Sequence, residues 1–487
     1  MKKTVALFFL LASLRLTAQT CGQASLVFSN QSSIDNFTIF YPGCTHILGG
    51  VHINQLGPNA NFDGLAGVTT IDGTLFISNT ELSQLNGFNA LTHIGGDLRI
   101  SKHGNLTAIG GFNSLKSVGG LAITENAKLT NMSGLNTLET INNNLLIQKN
   151  ASLAGLAGLK NLKSVGGDFR IDNCNGLINL TGLDKLTSIG QDLILIQNAG
   201  LVDLTALGEL NTIGRHLDIN FSNSWTSIAA LGSLNSIGGA VSLNINQKLA
   251  SLTGLNALTS LNENVLIQLT AITDFKGLSA LESVGGKLDI RSNNSLISLS
   301  GLEKLTAVGG LNIEKNPMIT SLNGLEALRT VSGSLDIDEN HSLTDISSLN
   351  AVQSVGISLY ITSNNNLTEI NEFPALDSVG HFLAVSGNPL LESLSGLNAL
   401  KAVGRGLSVG GNAILKDISG LGKLEKVGGK VVIANNPNLP DLAGLKSLTS
   451  VGDGLAIYKN SSLSSLNGLN ALASSVGDLS ITENPSL

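Results

Sequence analysis

The sequence predicts a mostly β protein, a single elongated parallel β-solenoid of about nineteen turns, and two observations support that prediction. The first is a short element that recurs every 23 or 24 residues: two apolar residues separated by one position, then Asn, as in Leu121, Ile123 and Asn126. The second is an apolar residue at every third position between copies, for example Leu135 and Leu138. One such turn cannot bury its own apolar edge, whereas stacked turns close a continuous core.

Each copy is predicted to form one turn that contains a short strand followed by tight arcs. Alternation of apolar residues is typical of a strand with one buried face, and a spacing of three favours 3₁₀-like turns over an α-helix. With strands about 4.8 Å apart, the stack should be roughly 90 Å long. The first strand position falls at Val51, Leu75, Leu98, Leu121, Leu145, Phe169, Leu193, Leu217, Val241, Val265, Leu288, Leu311, Leu335, Leu359, Leu383, Leu407, Val431, Leu455 and Leu479.

The Asn that ends each element is predicted to form a ladder through the stack. Its amide can satisfy backbone groups of its own turn and of the next at a bend that would otherwise bury them unpaired. His103, Cys174, Ser222 and Thr270 replace this Asn, and we expect a loosened bend at each. The Asn residues are Asn126, Asn150, Asn198, Asn246, Asn293, Asn316, Asn340, Asn364, Asn388, Asn412, Asn436, Asn460 and Asn484.

Two glycines precede most strands, as in Gly95-Gly96 and Gly166-Gly167. Asn142-Asn143 replaces such a pair, and Asn shares with Gly a tolerance of left-handed backbone angles. We therefore predict a left-handed conformation before the strand. A phosphate-binding role for these glycines is disfavoured because they recur in every turn.

Composition and charge narrow the classes of partner. Charged residues make up 13% of the chain, the formal net charge is −7, and no basic cluster is present. Nucleic acid is therefore not an expected partner, because binding to phosphates needs a concentrated cationic face. The seven histidines are scattered without metal-ligand spacing, and no cofactor is predicted.

Residues 1–18 are predicted to be a secretory signal peptide. Lys2 and Lys3 precede an apolar run from Val5 to Leu14, and Ala18 is a small residue suited to cleavage. The run is too short to span a bilayer comfortably, and no transmembrane helix is predicted in the rest of the chain.

Residues 19–48 are predicted to be an N-terminal cap and residues 49–487 the solenoid. Ser29 or Asn30 can cap a short helix in the first segment. Because export permits disulfides, Cys21 and Cys44 are predicted to pair and to close the cap over the first turn. Lipidation of Cys21 is the less favoured alternative.

The chain stops one strand into a turn, and no capping sequence follows Asn484. Either the sequence is a fragment of a longer protein or its bare end stacks on another surface. The fragment is favoured, because terminal repeats usually need a polar cap for solubility.

Three further features are explained by the fold and are not taken as signs of a functional site. Cys174 stands at an Asn position, which predicts a buried structural thiol. Trp225 replaces a Leu and is predicted to fill the core in preference to forming an exposed sugar platform. The string from Gly406 to Gly410 matches the Gly-x-Ser-x-Gly pattern of hydrolases, but Ser408 falls in the middle of a predicted strand, so the match is attributed to chance.

The unit Leu-x-Ile-x-x-Asn-x-x-Leu, with Val-Gly-Gly before it, resembles the receptor L-domain group in its long bacterial, leucine-rich form. The segments Ile34 to Phe37, Tyr41 to Thr45 and Gly49 to Ile53 are similar to the lead-in of that form. The resemblance implies an exported, non-catalytic surface protein whose sheet face is offered to ligands. It identifies no ligand residue, because no shared motif fixes those positions.

The strand residues between the two buried positions should form an outward column. Its members are His52, Phe76, Arg99, Ala122, Leu146, Arg170, Ile194, Asp218, Ser242, Leu266, Asp289, Asn312, Asp336, Tyr360, Ala384, Ser408, Val432, Ala456 and Ser480. The predicted ligand-binding residues are one part of this column and its neighbours two positions along: Asp289, Arg291, Asn312, Glu314, Asp336, Asp338 and Tyr360.

Three interpretations compete for these residues. Asp289 and Asp336, two strands and about 9.6 Å apart, lie at the far limit of an inverting pair of catalytic carboxylates. Several hard oxygens could hold calcium, although no loop wraps an ion. The favoured interpretation is a solvated or ligand-facing sheet.

The predicted function is that of a non-catalytic recognition or adhesion protein that is secreted or held at a bacterial cell surface, in association with the outer membrane. Its ligand would be an extracellular protein or glycan, and the protein itself a monomer. A polysaccharide-active solenoid enzyme and a structural spacer that displays another domain are the alternatives.

Overall fold

A computed structural model describes residues 19–370, 373–475 and 477–487, so the predicted signal peptide lies outside the described residues. The chain is a parallel β-solenoid, as predicted. Each strand pairs in parallel with the equivalent strand of the preceding and following turns, for example Leu145–Gln148 with Ser117–Thr124 and with Phe169–Asp172. This pairing stacks equivalent residues at one position in every turn.

The main ladder of strands, which we call the face ladder, carries the repeat element. All nineteen predicted strand positions lie in it. Its strands are Leu26–Phe28, Val51–Asn54, Leu75–Ser78, His93–Ser101, Ser117–Thr124, Leu145–Gln148, Phe169–Asp172, Leu193–Ile196, Leu217–Asn220, Val241–Asn246, Val265–Thr270, Ser283–Arg291, Ala307–Glu314, Leu335–Asp338, Leu359–Thr362, Phe382–Ser386, Gly406–Gly410, Val431–Ala434, Gly454–Tyr458 and Asp478–Thr482.

A second ladder of shorter strands forms just before the face ladder in each turn, and the sequence pattern did not reveal it. The four longest face strands run through both ladders. The separate short strands are Gln19–Cys21, Cys44–Ile47, Thr70–Ile71, Thr140–Ile141, Ser164–Val165, Ser188–Ile189, Thr212–Ile213, Ser236–Ile237, Ser260–Leu261, Thr330–Val331, Ser354–Val355, Ser378–Val379, Ala402–Val403, Lys426–Val427, Ser450–Val451 and Ser474–Ser475.

The remaining elements complete the turns. A separate pair, Gln84–Leu85 with Ala108–Ile109, forms a small parallel sheet. The predicted 3₁₀-like arcs are confirmed at ten places in the described part of the chain. These 3₁₀ segments are Asp63–Leu65, Ser133–Leu135, Ala157–Leu159, Thr205–Leu207, Ala229–Leu231, Lys276–Leu278, Ser347–Leu349, Ser395–Leu397, Ser419–Leu421 and Ala443–Leu445.

The N-terminal segment adds a turn to the sheet. Leu26–Phe28 pairs in register with Val51–Ile53, so the face ladder begins one turn before the recognisable repeat. Two short helices, Gln31–Asp35 and Phe37–Phe40, follow, and the Asn30 side chain accepts a hydrogen bond from the Ser33 backbone N–H. The helical prediction is therefore confirmed, with Asn30 as the cap.

The predicted disulfide is present. Cys21 and Cys44 are bonded, with 6.0 Å between their Cα atoms, which is an ordinary separation for a disulfide. Their strands are neighbours in the second ladder. The bond ties the first turn to the next, and it uses the thiol that lipidation of Cys21 would need.

The core is a continuous column of aliphatic side chains with a few aromatic residues. Phe62, Phe88 and Phe112 are in contact on successive turns, with ring centroids 4.9 and 5.2 Å apart, and the rings of Phe88 and Phe112 are stacked. Trp225 is 2% exposed, which confirms that it fills the core. Cys174 is fully buried and has no disulfide partner, and burial raises the pKa of its thiol, so its assignment as a structural residue is confirmed.

The asparagine ladder is confirmed in detail. Asn364 Nδ2 donates to the Ile337 carbonyl oxygen of the preceding turn at 2.9 Å and to the Thr362 carbonyl oxygen at 2.9 Å. Its Oδ1 accepts the Asn340 backbone N–H at 3.0 Å. The amide therefore joins its own turn to the preceding turn. The sequence analysis expected it to join the following turn instead.

The expectation of loosened bends is wrong at two of the four substituted positions. His103 Nδ1 accepts the Thr80 backbone N–H at 3.3 Å, and Nε2 lies 3.1 Å from the Ile77 carbonyl oxygen, so the ring reproduces both functions of the amide. Burial lowers the pKa of His103, which favours this neutral ring. The Cys174 thiol lies 3.7 Å from the Ile147 carbonyl oxygen and makes the equivalent contact.

At the other two positions the bend does change. The Ser222 side chain is too short to reach the preceding turn as the ladder Asn does. Its hydroxyl donates instead to the Asn220 carbonyl oxygen of its own turn at 3.4 Å. At Thr270 the face strands lengthen, and Asn246 pairs with Thr270 as a strand residue.

The explanation predicted for the glycine pairs is wrong. Gly166 does not have a positive φ angle, but a Cβ atom there would lie 2.1 Å from the Asn142 carbonyl oxygen of the preceding turn. At Gly166, glycine is needed because the backbones of the two stacked turns approach closely. The left-handed conformation falls instead on the residue before the ladder Asn, such as Glu125 with a φ of 57° and Lys149 with a φ of 54°.

The ladder predicts a large local effect for Asn364→Ala. The substitution leaves buried backbone groups without partners, so we expect a destabilisation of about 3 kcal/mol. Urea unfolding and amide hydrogen exchange of the adjoining turns measure it. Asn365→Ala, an exposed neighbour, is the control and should change little; equal stability of the two variants would contradict the role of the ladder.

Close packing of the turns predicts that Gly166→Ala is destabilising by about 1–3 kcal/mol, because the added methyl group must displace backbone. Gly104→Ala is the matched control, since nothing lies within 4 Å of a Cβ atom at that position. Thermal unfolding of both variants tests the prediction, which fails if they melt together.

Candidate ligand-binding face

The predicted outward column exists, and the structure aligns its members across the face ladder. Asp289 lies opposite Asn312, Asn312 opposite Asp336, and Asp336 opposite Tyr360. Neighbouring side chains shield one another, so most of the column is only partly exposed and Asn312 is buried.

A second row lies two positions further along the same strands. Arg291 is paired with Glu314, and Glu314 with Asp338. The structure therefore brings together all seven residues predicted from the sequence. We call this group the acidic patch: Asp289, Arg291, Asn312, Glu314, Asp336, Asp338 and Tyr360.

The acidic patch surrounds a shallow hollow of about 350 Å³. Six of the seven predicted residues line it, and Asp289 does not. Lys287 and Thr362 also line it and were missed by the sequence analysis. Lys287 lies within the strand Ser283–Arg291, just before the repeat element, and Thr362 is unremarkable in the repeat, so no pattern in the sequence distinguished them.

The amide of Asn312 occupies the space between Asp289 and Asp336. Its Nδ2 donates to Asp289 Oδ1 at 2.8 Å, while Arg291 Nη2 lies 3.5 Å from Asp289 Oδ2. An inverting pair of carboxylates needs open space for a water molecule between them. This arrangement favours a binding surface over an acid–base pair.

Three carboxylates at the edge of the patch have the spacing of cation ligands. Oxygens of Glu314, Asp338 and Glu339 lie within 4.8 Å of one another. The Lys315 ammonium is 2.6 Å from Glu314 Oε1 and 3.3 Å from Glu339 Oε1, and the Thr362 hydroxyl donates to Asp338. A bound cation would compete with this ammonium, so the group resembles a solvated ion-pair network more than a calcium site.

Two buried polar atoms of the patch have no hydrogen-bond partner within the described chain: Asp336 Oδ1 and Arg291 Nε. Burial raises the pKa of Asp336; Lys287 opposes this shift, and the negative charges of Asp289 and Asp338 add to it. In contrast, the hydrogen bond from Lys315 lowers the pKa of Glu314. The patch thus retains an unused acceptor and an unused donor.

A larger hollow of about 660 Å³ lies beside the acidic patch and also includes Tyr360. Phe382, Arg405, Ser408, Lys430 and Asp453 are among its other lining residues. The sequence analysis placed Ser408 in the column but did not predict this hollow. The depth of the hollow depends on how far the neighbouring side chains project from the sheet. Ser408 lies within the strand Gly406–Gly410, as predicted.

Part of the chain matches a known protein family. Residues 43–106 match the family model of the receptor L domain. The protein is a leucine-rich solenoid that resembles a receptor L domain. A search of curated proteins found no match.

Among solved structures, the chain is similar to a protein in the crystal structure of a TLR13–ssRNA13 complex, with 14% identity, 92% of this chain and 79% of that chain covered, and a TM-score of 0.32. It is also similar to an internalin, inlF, from Listeria monocytogenes, with 17% identity, coverage of 77% of this chain and 83% of that chain, and a TM-score of 0.33.

The disulfide and the receptor L-domain match suggest an extracellular location for the leucine-rich solenoid. Among the described residues, no helix has the length and apolar character required to cross a membrane.

The electrostatics of the patch predict a pH-dependent effect of Asp336→Asn. Because the pKa of Asp336 is raised in the folded state, its ionised form destabilises the protein above that pKa, and this penalty disappears at pH values below the ordinary carboxyl pKa. The variant should therefore melt at a higher temperature than the wild type at neutral pH, with a difference that vanishes on acidification. Melting curves across this pH range measure it.

Glu425→Gln serves as the control for that measurement. It removes a carboxylate from an exposed position away from the patch and should leave the melting temperature nearly unchanged at each pH. A lower melting temperature for Asp336→Asn at neutral pH would contradict the assigned electrostatics.

Proposed function

We propose that the leucine-rich solenoid is a non-catalytic recognition or adhesion protein, exported to the cell exterior and held at or near a bacterial outer membrane. It binds an extracellular protein or glycan through the side chains of the face ladder. The ligand meets the acidic patch, and the protein acts as a monomer without a cofactor.

The observation that supports this proposal most directly is that two buried polar atoms of the acidic patch have no hydrogen-bond partner among the described residues. Asp336 Oδ1 and Arg291 Nε are buried without partners in the described chain, and both residues line the same hollow. Buried polar atoms in native proteins are nearly always paired, so those that are not require an explanation. A ligand that donates to Asp336 and accepts from Arg291 supplies both missing hydrogen bonds once the two side chains turn toward the hollow.

Rigidity of the scaffold also favours recognition. The side chains of the patch stand on paired strands, and the asparagine ladder fixes the bend at the end of those strands through Asn293, Asn316 and Asn340. Because the contact surface is ordered before binding, little conformational entropy is lost when the ligand binds.

The first experiment is a glycan and extracellular-protein array probed with residues 19–487, with and without calcium. Selective binding of a ligand supports recognition, whereas a blank array from well-folded protein favours the structural spacer. Release of shortened sugars from a bound polysaccharide would instead support the solenoid-enzyme alternative and contradict the non-catalytic assignment.

For a ligand found in this way, we expect the double variant Asp336→Asn, Asp338→Asn to bind at least about tenfold more weakly, because hydrogen bonds to charged groups contribute strongly to affinity. The double variant Glu209→Gln, Glu425→Gln removes the same charge from exposed positions outside the patch and should bind normally. Titration calorimetry measures both. Unchanged affinity in the patch variant would remove the acidic patch from the binding surface.

A further inference from the structure

The larger hollow beside the acidic patch, which we call the basic hollow, has a flat floor of small side chains. Ala384, Ser408 and Val432 hold consecutive positions in the outward column and lie in register on neighbouring strands. Tyr360 stands next to Ala384 and separates this floor from the acidic patch. The basic hollow is therefore a distinct depression on the same face.

A glycine opens the rim of the basic hollow. Gly406 is paired with Phe382, and a Cβ atom at position 406 would lie 3.0 Å from Phe382 Cδ1 and 3.4 Å from the Lys430 carbonyl oxygen. Because no side chain fills this space, Phe382 remains 42% exposed beside it. The rim thus presents a flat apolar ring next to a gap between two turns.

The charge of the rim is positive, unlike that of the neighbouring patch. Arg405 and Lys430 are exposed, and within residues 19–370, 373–475 and 477–487 neither has a carboxylate at ion-pair distance. Among the described residues, Asp453 is the single carboxylate that lines the hollow. In the acidic patch, by contrast, Arg291 has Asp289 beside it, with 3.5 Å between Nη2 and Oδ2. The rim is complementary to an anionic ligand.

The strand pairing disfavours an extended peptide as that ligand. The strands Phe382–Ser386, Gly406–Gly410 and Val431–Ala434 pair with neighbours on both sides. No edge is free there for a peptide to bind by strand addition, which is the usual way for a sheet to take up an extended chain. A ligand must therefore lie on top of the sheet.

A sugar chain has the properties that this surface requires. The C–H face of a sugar ring can pack on an aromatic side chain such as Phe382, and its hydroxyl groups can exchange hydrogen bonds with Ser408. Ligand sites commonly combine an apolar lining with a few polar groups that fix orientation. An acidic substituent would meet the two cations of the rim.

We propose that the basic hollow binds an anionic oligosaccharide, with its carboxylate or sulfate group between Arg405 and Lys430 and a sugar ring against Phe382. A guanidinium group can hold either anion through two parallel hydrogen bonds. This inference rests on the proposed recognition function and assigns a ligand class to a second part of the same face.

Titration calorimetry of residues 19–487 tests the proposal with a short oligouronate, a sulfated oligosaccharide and the uncharged oligosaccharide of the same backbone. We expect at least one acidic sugar to bind about tenfold more tightly than the uncharged one, with affinity that falls as salt rises. Arg405→Gln, Lys430→Gln and Phe382→Ala should each weaken binding of the acidic sugar by about tenfold.

Matched controls remove the same side chains from exposed positions outside the basic hollow: Arg329→Gln, Lys426→Gln and Phe221→Ala. These variants should bind as the wild type does. Full affinity in the Arg405→Gln, Lys430→Gln double variant overturns the site, as does a preference for an acidic peptide over an oligouronate of equal charge.

The outcomes also separate this inference from the proposed function. If the wild type binds no acidic sugar but captures another ligand on the array, the basic hollow is wrongly assigned and the recognition function stands. If the wild type binds no ligand of any class, both proposals fail. Cleavage of a bound oligouronate would contradict the non-catalytic function while leaving the ligand class in place.

Discussion

The asparagine ladder is the interaction on which the rest of the structure depends. Every turn must bend the chain sharply at the end of its face strand, and the bend buries backbone groups that no strand partner can reach. An Asn side chain supplies one acceptor and two donors in the space of a small residue, so it satisfies these groups and links adjoining turns. His103 shows that the geometry of the donor and acceptor matters more than the residue type.

This constraint also determines where function can lie. One face of each strand contributes to the core. The residues of the bends, of the 3₁₀ arcs and of the glycine contacts are constrained because they hold neighbouring turns together. The outward column and the positions before each strand that glycine does not occupy remain free to vary. Two depressions of opposite charge lie there and share Tyr360, so the two proposed binding sites adjoin on one surface.

Much of the fold and of the acidic patch could be predicted because the repeat fixes the register. Once Leu288, Leu311 and Leu335 are recognised as equivalent, Asp289, Asn312 and Asp336 must be neighbours. The basic hollow could not be predicted in this way. Its shape depends on Gly406, which leaves room beside Phe382, and on side chains that come just before the strands, where the repeat specifies little.

The sequence by itself determined the architecture, the order of the stacked residues and the buried positions, because a repeat with periodic apolar residues buries them only when its turns stack in register. It also predicted the disulfide, because export permits the two N-terminal cysteines to pair. Only the tertiary structure decided why glycine is required before the strands, since a close approach between turns at Gly166 depends on backbone atoms far apart in the chain. It also decided which polar atoms lack partners, because pairing depends on distances of a few tenths of an ångström that a sequence pattern does not encode.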